Sequence, residues 1–407
     1  MKNFLKTPLE LCTGCSACAA VCPTRSITLR QTDDGFFKYF VNEEKCISCG
    51  LCNSVCPIQT DNPPNRPLFA AAVRSRNMTI WQRSSSGGAF SEICRAISES
   101  FNQEPVYYFG AVWNDQLQVE HRSVDSFSKI AVFCRSKYVQ SNVGNTFLEV
   151  KEYLEKGIKV VYSGTPCQIA GLRRFLRKDY DNLFLIDFIC HGVGSRFFFQ
   201  KCLDDYEAQH HSKVQSYIFR SKHRYDERYI SRITFASGLC KYAKKDNYNK
   251  LFLNQICLNS SCQENCHFRH QERYSDFTLA DFNGFNVVFP HVFDWLAYST
   301  LIANSAKAMD LLPVLKKNMK VYSCSPEVIA RFQKCYDGHP SGNPESSAFF
   351  ADLKAGMSVS ELASKYYSPV IKHISLSNRL WNQLPYPLRY TFGYLHRCII
   401  HAGGKTR

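Results

Sequence analysis

The alternation of apolar and polar residues predicts a short β-hairpin near the start of the chain. Residues 27–29 (Ile-Thr-Leu) and 36–41 (Phe-Phe-Lys-Tyr-Phe-Val) have the pattern of two short strands, and residues 33–35 (Asp-Asp-Gly) are a turn signal between them. A polar, proline-rich stretch at residues 59–67 then predicts a linker. We therefore expect a small N-terminal domain that ends near residue 64.

Two cysteine runs flank this hairpin, at residues 12–23 and 46–57, and both have the spacing C-x2-C-x2-C-x3-C-P. This is the pattern of bacterial two-cluster ferredoxins, in which the fourth cysteine of each run binds the other cluster. The crossover assigns one 4Fe–4S cluster to Cys12, Cys15, Cys18 and Cys56, and the other to Cys46, Cys49, Cys52 and Cys22. The alternative, a zinc-binding knuckle, would use two or four cysteines per site and does not explain the repeated proline.

Residues 84–98 have the periodicity of an amphipathic helix. Its apolar face consists of Ala89, Phe90, Ile93 and Ile97. This register places Ser86, Gly87 and Gly88 at the helix N-terminus, where free amides and the helix dipole suit a phosphate or an anionic ring edge. The sequence alone favours the simpler alternative, an ordinary N-cap with a flexible lead-in.

A strand–helix–strand unit is predicted in the middle of the chain. Residues 159–163 form the first strand, Thr165 is the N-cap, Pro166 is the first helical residue, and residues 182–189 form the second strand. Such a crossover makes the two strands parallel. Their carboxyl ends then lie on one edge of the sheet, where ligands gather in α/β proteins.

Two cysteines follow these strand ends, so we expect Cys167 and Cys190 to be near neighbours. The helix N-terminus should favour a Cys167 thiolate. Cys262 and Cys266 add two thiols at short spacing, with Cys257 as a substitute, and the sequence thus predicts a third four-thiolate site. The alternative for each cysteine is a small buried apolar residue.

Composition favours an intracellular redox protein. The chain of 407 residues contains 20 cysteines, no stretch of 18 apolar residues and no apolar signal segment at its N-terminus. We therefore expect no transmembrane segment and a cytoplasmic location, where thiols stay reduced and free for iron.

The net charge of +15 permits a nucleic-acid interpretation. However, the basic residues are scattered, and iron-bound thiolates would add negative charge that this count omits. Residues 166–168 (Pro-Cys-Gln) resemble the nucleophile loop of cytosine-5 DNA methyltransferases, but no suitable glycine loop or glutamate motif accompanies them. We predict no nucleic-acid partner and a basic face for an acidic redox partner or substrate.

Several stretches, in order along the chain, resemble the coenzyme F420 hydrogenase/dehydrogenase beta subunit family, which includes an iron–sulfur flavoprotein reductase of chlorophyll metabolism. They are residues 85–90, 136–141, 163–172, 190–192, 219–220 and 275–284. The chain differs from the family in the three-residue gap between Cys262 and Cys266, where two residues are usual, and in Asn283, where an aromatic residue is usual.

The resemblance implies FAD, an iron–sulfur cluster beside it, and two-electron exchange with a small soluble substrate or coenzyme in a polysaccharide-biosynthesis context. The flavin-binding residues it implies are Ser86, Gly87, Gly88, Ser136, Lys137, Tyr138 and Thr165. The cluster would bind to Cys167, Cys190, Cys262 and Cys266. The electron partner would be a redox protein such as ferredoxin, or a reduced deazaflavin or nicotinamide coenzyme. A non-catalytic electron-transfer subunit of a larger complex is the alternative, and no catalytic residue is predicted.

The predicted fold class is α+β and α/β, in three parts. A bacterial-type dicluster ferredoxin domain covers residues 1–64, and a mixed α/β flavin-binding domain covers residues 65–335. A linker and a helical C-terminal extension with a basic, aromatic tail cover residues 336–407.

Overall fold

The computed structural model describes most of the chain up to residue 367. The described residues are 5–59, 65–101, 104–222, 230–244, 246–263, 266–292, 294–338, 342–367, 388, 391–392 and 394–395. Part of the predicted linker (60–64) and most of the predicted basic tail (380–407) therefore lie outside the described residues.

The two cysteine runs fold into matching halves of the N-terminal domain. Each run contains one five-residue helix, α1 (Ala17–Val21) or α2 (Leu51–Val55). Between them lies an antiparallel hairpin of β1 (Ile27–Gln31) and β2 (Phe37–Val41), which confirms the hairpin predicted from the sequence.

The rest of the described chain is built on a large mixed sheet and a small antiparallel one. The strands are β3 (Phe69–Ser75), β4 (Val106–Trp113), β5 (Val119–Val124), β6 (Lys159–Ser163), β7 (Leu183–Phe188), β8 (Val214–Ile218), β9 (Ile230–Phe235), β10 (Cys240–Lys244), β11 (Phe277–Asp281), β12 (Ser299–Ala303) and β13 (Met319–Cys324). The large sheet has the order β13-β3-β12-β11-β7-β6-β4-β5, and the small sheet has the order β10-β9-β8. Together with the N-terminal domain, this confirms the mixed α/β class.

Helices pack against strands of both sheets. They are α3 (Met78–Arg83), α4 (Ala89–Ser100), α5 (Thr146–Glu155), α6 (Pro166–Leu176), α7 (Arg196–His210), α8 (Asn247–Leu253), α9 (Ser260–Gln263), α10 (Phe285–Val288), α11 (Ala306–Asp310), α12 (Leu312–Asn318), α13 (Pro326–Phe332), α14 (Ser346–Lys354) and α15 (Val359–Tyr366). Short 3-10 helices occur at Leu9–Leu11 and Phe127–Phe133. Within the described ranges, no helix combines the length and the apolar character needed to cross a bilayer.

The predicted strand–helix–strand unit is present as β6, α6 and β7. The two strands are parallel neighbours, with Val160 opposite Leu183. On its other side, β7 pairs in parallel with β11, so that Ile186 lies opposite Phe277. The ends of three parallel strands therefore meet at one edge of the sheet, and this edge positions the site described below.

Three apolar clusters position the N-terminal domain and the C-terminal helices. Strand β4 and helix α4 share a core on one face of the sheet. On the other face, helices α5 and α6 pack together with Cys15, Ala17 and Val55 of the N-terminal domain. Helices α14 and α15 pack against α7 and α8. The N-terminal domain is thus held against α6 by apolar burial.

Candidate functional site

Four thiols line one cavity in the N-terminal domain, and we call this group the first thiol site. It consists of Cys12, Cys15, Cys18 and Cys56, with Leu5, Leu29, Tyr39 and Ile58 among the other lining residues. Burial raises the pKa of Cys15 to about 12, and the nearby Cys12 and Cys56 thiols act in the same direction. The fourth thiol comes from the other cysteine run, which is the grouping that a crossed dicluster arrangement needs.

The other predicted group, which we call the second thiol site, is Cys22, Cys46, Cys49 and Cys52, and it is more open to solvent, because Cys49 is exposed. Burial raises the pKa of Cys52, and Cys49 and Cys22 add to this effect. At Cys22 burial also acts upward, but hydrogen bonds with Ser26 and Thr24 outweigh it and lower the pKa. Electrostatic proximity therefore places Cys22 with the thiols of the other run.

Both runs adopt the same unusual backbone at corresponding positions. Gly14 and Ser48 have φ of 71° and 56°, and Ser16 and Gly50 both have φ of 72°. Each run thus has one glycine, which adopts positive φ easily, and one serine, which rarely does. Because the glycine occupies opposite positions in the two runs, the shared backbone follows the cysteine spacing and not the residue type between the cysteines.

A third thiol site lies at the edge of the large sheet. Cys167 is in the first turn of α6, Cys190 follows β7, Cys262 is in α9, and Cys266 follows α9. Burial raises the pKa of Cys167 well above its ordinary value, and Cys262, Cys190 and Cys266 all contribute, so the four thiols lie within electrostatic reach. For the free thiol, burial therefore opposes the thiolate-favouring effect expected of the helix N-terminus.

The turn after β7 brings Cys190 and α9 together. Gly192 has φ of 122°, and a Cβ atom there would lie 3.1 Å from Cys262 Cβ, so the turn approaches α9 closely. Cys257, considered above as a substitute ligand, instead lies in the apolar core between α7 and α8 beside Cys202.

The donors of these sites are cysteine thiols, the ligands that hold 4Fe–4S clusters. In a 4Fe–4S cubane each thiolate binds a different iron, so four separated sulfurs surround the cluster. The described cysteines are also all free thiols.

Helix α6 connects the first and third thiol sites. A Cβ atom at Gly171 would lie only 2.9 Å from Cys15 Sγ, so the absence of a side chain there lets the first site pack directly on the helix. Gly171 and Cys167 are four residues apart on one helical face, which corresponds to about 6 Å along the axis. The first site therefore contacts α6 about one helical turn from Cys167.

Lys38 also bridges these two sites. Its ammonium group is buried and donates to Cys12 O and Asn259 Oδ1, each at 2.7 Å. Burial lowers its pKa, whereas Cys12 and Cys262 act in the opposite direction. No local pattern indicates this role, because Lys38 occupies an ordinary alternating position in a strand.

Gln140 fixes the N-terminal domain to the sheet domain. Its side chain accepts from Phe37 N at 2.6 Å and donates to Thr13 O at 3.2 Å, while its backbone N–H donates to Gly194 O. The residue is 2% exposed. It lies in the stretch 136–141 that carried the family resemblance, which is the signal that could have drawn attention to it.

The flavin-binding residues predicted before α4 lie in a tightly held loop. Ser86 Oγ donates to Tyr298 O at 2.8 Å, and the Gly87 backbone N–H donates to Ser299 Oγ at 2.8 Å. Gly88 is the N-cap of α4 with φ of 95°. The loop is therefore anchored on strand β12 rather than flexible.

The second predicted flavin-binding stretch contacts the same loop. Ser136 N donates to Ser85 Oγ at 2.8 Å. Lys137 Nζ lies 3.3–3.4 Å from four carbonyl oxygens of residues 132–135, and burial lowers its pKa to about 8. The Tyr138 ring stacks on Phe252. Thr165, the N-cap of α6, instead lies with the third thiol site, because its Oγ1 is 3.0 Å from Cys167 Sγ.

Cationic side chains surround the loop at residues 84–88. Lys222 Nζ donates to Trp81 O and Ser86 O. Burial lowers the pKa of Lys222 to about 6, and Arg220, Arg135 and Arg74 act in the same direction, against Asp281. Although Arg220 pairs with Asp281 and Arg74 pairs with Asp294, the side chains that act on Lys222 are mainly positive. This environment suits an anionic ligand.

Two family models match the chain in the regions that carry these sites. Residues 11–60 match the 4Fe-4S dicluster domain. Residues 157–327 match the model for the C terminus of the coenzyme F420 hydrogenase/dehydrogenase beta subunit. This central region is therefore similar to the coenzyme F420 hydrogenase/dehydrogenase beta subunit family.

The beta-subunit region therefore follows a 4Fe–4S dicluster domain in the same chain, and the protein is an iron–sulfur redox protein related to these beta subunits. Among solved structures, a match is found in the F420-reducing [NiFe] hydrogenase complex from Methanosarcina barkeri. It is 14% identical, covers 75% of this chain and 93% of that chain, and has a TM-score of 0.42. The comparison with curated proteins gives no match.

Proposed function

We propose that this chain is an FAD-dependent iron–sulfur oxidoreductase that exchanges an electron pair with a small soluble substrate or coenzyme. In the proposal, Cys167, Cys190, Cys262 and Cys266 bind a third 4Fe–4S cluster beside the flavin. The observation that carries it is the contact between Cys15 and Gly171, because it brings the first thiol site onto α6 about one helical turn from Cys167.

The side chains of the protein would position the proposed cofactors and shield them from water. A 4Fe–4S cluster carries single electrons, whereas FAD stores two and can deliver them together. Burial of Cys15 and Cys18 excludes water from the first site, while exposed Cys49 leaves the second site accessible to a redox partner. Gln140 and Lys38 hold the N-terminal domain in this orientation.

The loop at residues 84–88 is the proposed position of the FAD phosphates. Its amides lie at the start of α4, a 12-residue helix whose dipole favours an anion. Arg135 adds positive charge at the same place, and a bound phosphate would favour the charged form of Lys222, whose pKa burial otherwise lowers. The polysaccharide-biosynthesis context stays a proposal that rests on the family resemblance alone.

The third cluster is tested by Cys190→Ala in the full-length chain. We expect the iron content to fall from about twelve to about eight atoms per chain, since one four-iron cluster is lost. The matched control is Cys257→Ala, because Cys257 is also a buried free cysteine but lies away from the site. Equal iron content in wild type and Cys190→Ala would contradict the third cluster.

FAD binding is tested by reconstitution with FAD and a fluorescence titration. Loss of one charge-assisted hydrogen bond costs about 1.5–3 kcal/mol, so Lys137→Ala should weaken FAD binding about tenfold or more. The control is Lys129→Ala, which removes an exposed cation from the same segment. A wild-type chain with its full iron content that takes up no FAD would instead support the non-catalytic electron-transfer subunit.

A further inference from the structure

Arg269 is a buried cation whose hydrogen bonds leave much of its guanidinium group unpartnered. The residue is 3% exposed, and its Nη2 donates to His191 O at 2.9 Å and to Cys262 O at 2.8 Å. Its Nε and Nη1 atoms are buried and have no hydrogen-bond partner among the described residues. If Arg269 served only to bond these two carbonyl groups, Nη2 alone would be sufficient. The burial of Nε and Nη1 without partners would have no explanation.

The charge of Arg269 is also uncompensated within the described part of the chain. No carboxylate there forms an ion pair with it, whereas the nearby Arg273 has Asp187 Oδ2 at 4.0 Å. A buried charge without a counter-ion is strongly unfavourable, so a group of opposite charge is expected next to it.

Arg269 lies directly against the third thiol site, since its Nη2 donates to Cys262 O and its backbone N–H donates to Cys266 O at 3.4 Å. Burial raises the pKa of Cys190 and of Cys266, and Arg269 acts in the opposite direction on both. Cys335, a buried thiol whose sulfur is 3.7 Å from His191 Nδ1, is influenced by Arg269 in the same way. A 4Fe–4S cluster with four thiolates is an anion and would compensate the guanidinium.

We infer that Arg269 places a fixed positive charge against the third thiol site and raises the reduction potential of the cluster bound there. The inference rests on the proposed third cluster. Reduction adds one electron and no proton, so the cluster becomes more negative by one charge. A neighbouring cation stabilises the reduced form more than the oxidised form. Arg269 is thus a positioning residue for charge, with no part in ligation.

The test is a dithionite titration of the full-length chain, monitored by electron paramagnetic resonance. The signal that is lost in Cys190→Ala identifies the third cluster. In Arg269→Gln, we expect the ratio of reduced to oxidised third cluster at a fixed potential to fall about tenfold, equivalent to about 59 mV for a one-electron couple. In Arg269→Lys, which keeps the charge, the ratio should stay within about twofold of wild type. The control Arg174→Gln removes a half-buried arginine of α6 that bonds to Ser54 O and should leave the ratio unchanged.

The outcomes separate this inference from the proposed function. A wild-type chain without the Cys190-dependent signal would overturn the third cluster itself. A third cluster that is present but unshifted in Arg269→Gln would overturn only the role of Arg269, as would equal shifts in Arg269→Gln and Arg269→Lys. If Arg269→Gln loses the cluster, the Arg269→Lys variant distinguishes the two explanations. A wild-type ratio of reduced to oxidised third cluster in Arg269→Lys would support the role of the positive charge. Loss of the cluster in both variants would overturn that role.

Discussion

The first and second thiol sites are built from two copies of the same cysteine motif, yet their surroundings differ. The first site contains the buried Cys15 and packs on α6 through Gly171. The second site contains the exposed Cys49, and its Cys22 interacts with Ser26 and Thr24. The repeated motif therefore explains the ligands of both sites, whereas the neighbouring residues make one site face inward and the other face solvent.

The two thiol sites therefore lie on different sides of the N-terminal domain's environment: one faces the rest of the protein, and the other faces solvent. The second site is exposed at the surface through Cys49, whereas the first site contacts the helix that begins next to Cys167. Substitutions that remove the contact, the exposed ligand or the bridging lysine should consequently have different effects on the two sites.

The largest effect is expected for Gly171→Leu. The side chain would occupy the position of Cys15 Sγ, so the first site should lose its cluster, about four irons, and the domain contact. Gly171→Ala is the graded control. An alanine within a helix is favoured over glycine by about 0.5–1 kcal/mol, so any destabilisation would come from the Cys15 contact. Wild-type iron content and thermal stability in Gly171→Leu would show that the first site does not pack on α6.

Cys49→Ala should remove one cluster and leave the fold intact. Because Cys49 is exposed, its loss creates no cavity in the core, and iron analysis should show about four fewer atoms per chain. Cys240→Ala changes another exposed cysteine, on β10 and outside the three sites, and should keep the full iron content. An unchanged iron content in Cys49→Ala would contradict the second site.

Lys38→Met should weaken the contact between the two domains without removing a ligand. The substitution deletes charge-assisted hydrogen bonds to Cys12 O and Asn259 Oδ1, and we expect a loss of about 1.5–3 kcal/mol in the free energy of unfolding. Denaturant midpoints of anaerobic holoprotein measure it. The exposed Lys45→Met is the control. If both variants unfold at the same midpoint, the bridging role of Lys38 is wrong.

The smallest effect is expected for Arg177→Gln, which changes an exposed contact between the end of α6 and α2. Arg177 Nη2 donates to Ser54 Oγ at 3.2 Å in an exposed position, so stability should change by about 0–1 kcal/mol. Stopped-flow reduction by the anionic donor dithionite should become slower at low ionic strength and equal to wild type at high salt. A rate difference that persists at high salt would point to altered structure instead of charge.

The elements that sequence reasoning predicted are those with local signals. Cysteine spacing identified the runs around Cys12 and Cys46, and periodicity located β6, α6 and β7. Parallel strand ends then brought Cys167 and Cys190 together. The strand order of the large sheet was not predicted, because β11 inserts between β7 and β12 through contacts distant in sequence.

Sequence reasoning also missed polar residues whose hydrogen-bond partners are far away along the chain. Lys38 bonds to Asn259, 221 residues away, and Gln140 bonds to Phe37, 103 residues away. Arg269 resembles any basic loop residue until its burial is known. Burial likewise opposes the expectation for Cys167, since local helix geometry favours a thiolate and desolvation disfavours it.

The most direct test of the central claim is an iron, sulfide and flavin analysis of the full-length chain purified without oxygen. Three thiol sites and one flavin site predict about twelve irons, about twelve sulfides and about one FAD per chain. About eight irons per chain and no flavin would mean that only the dicluster domain binds cofactors. This result would contradict both the third cluster and the FAD site.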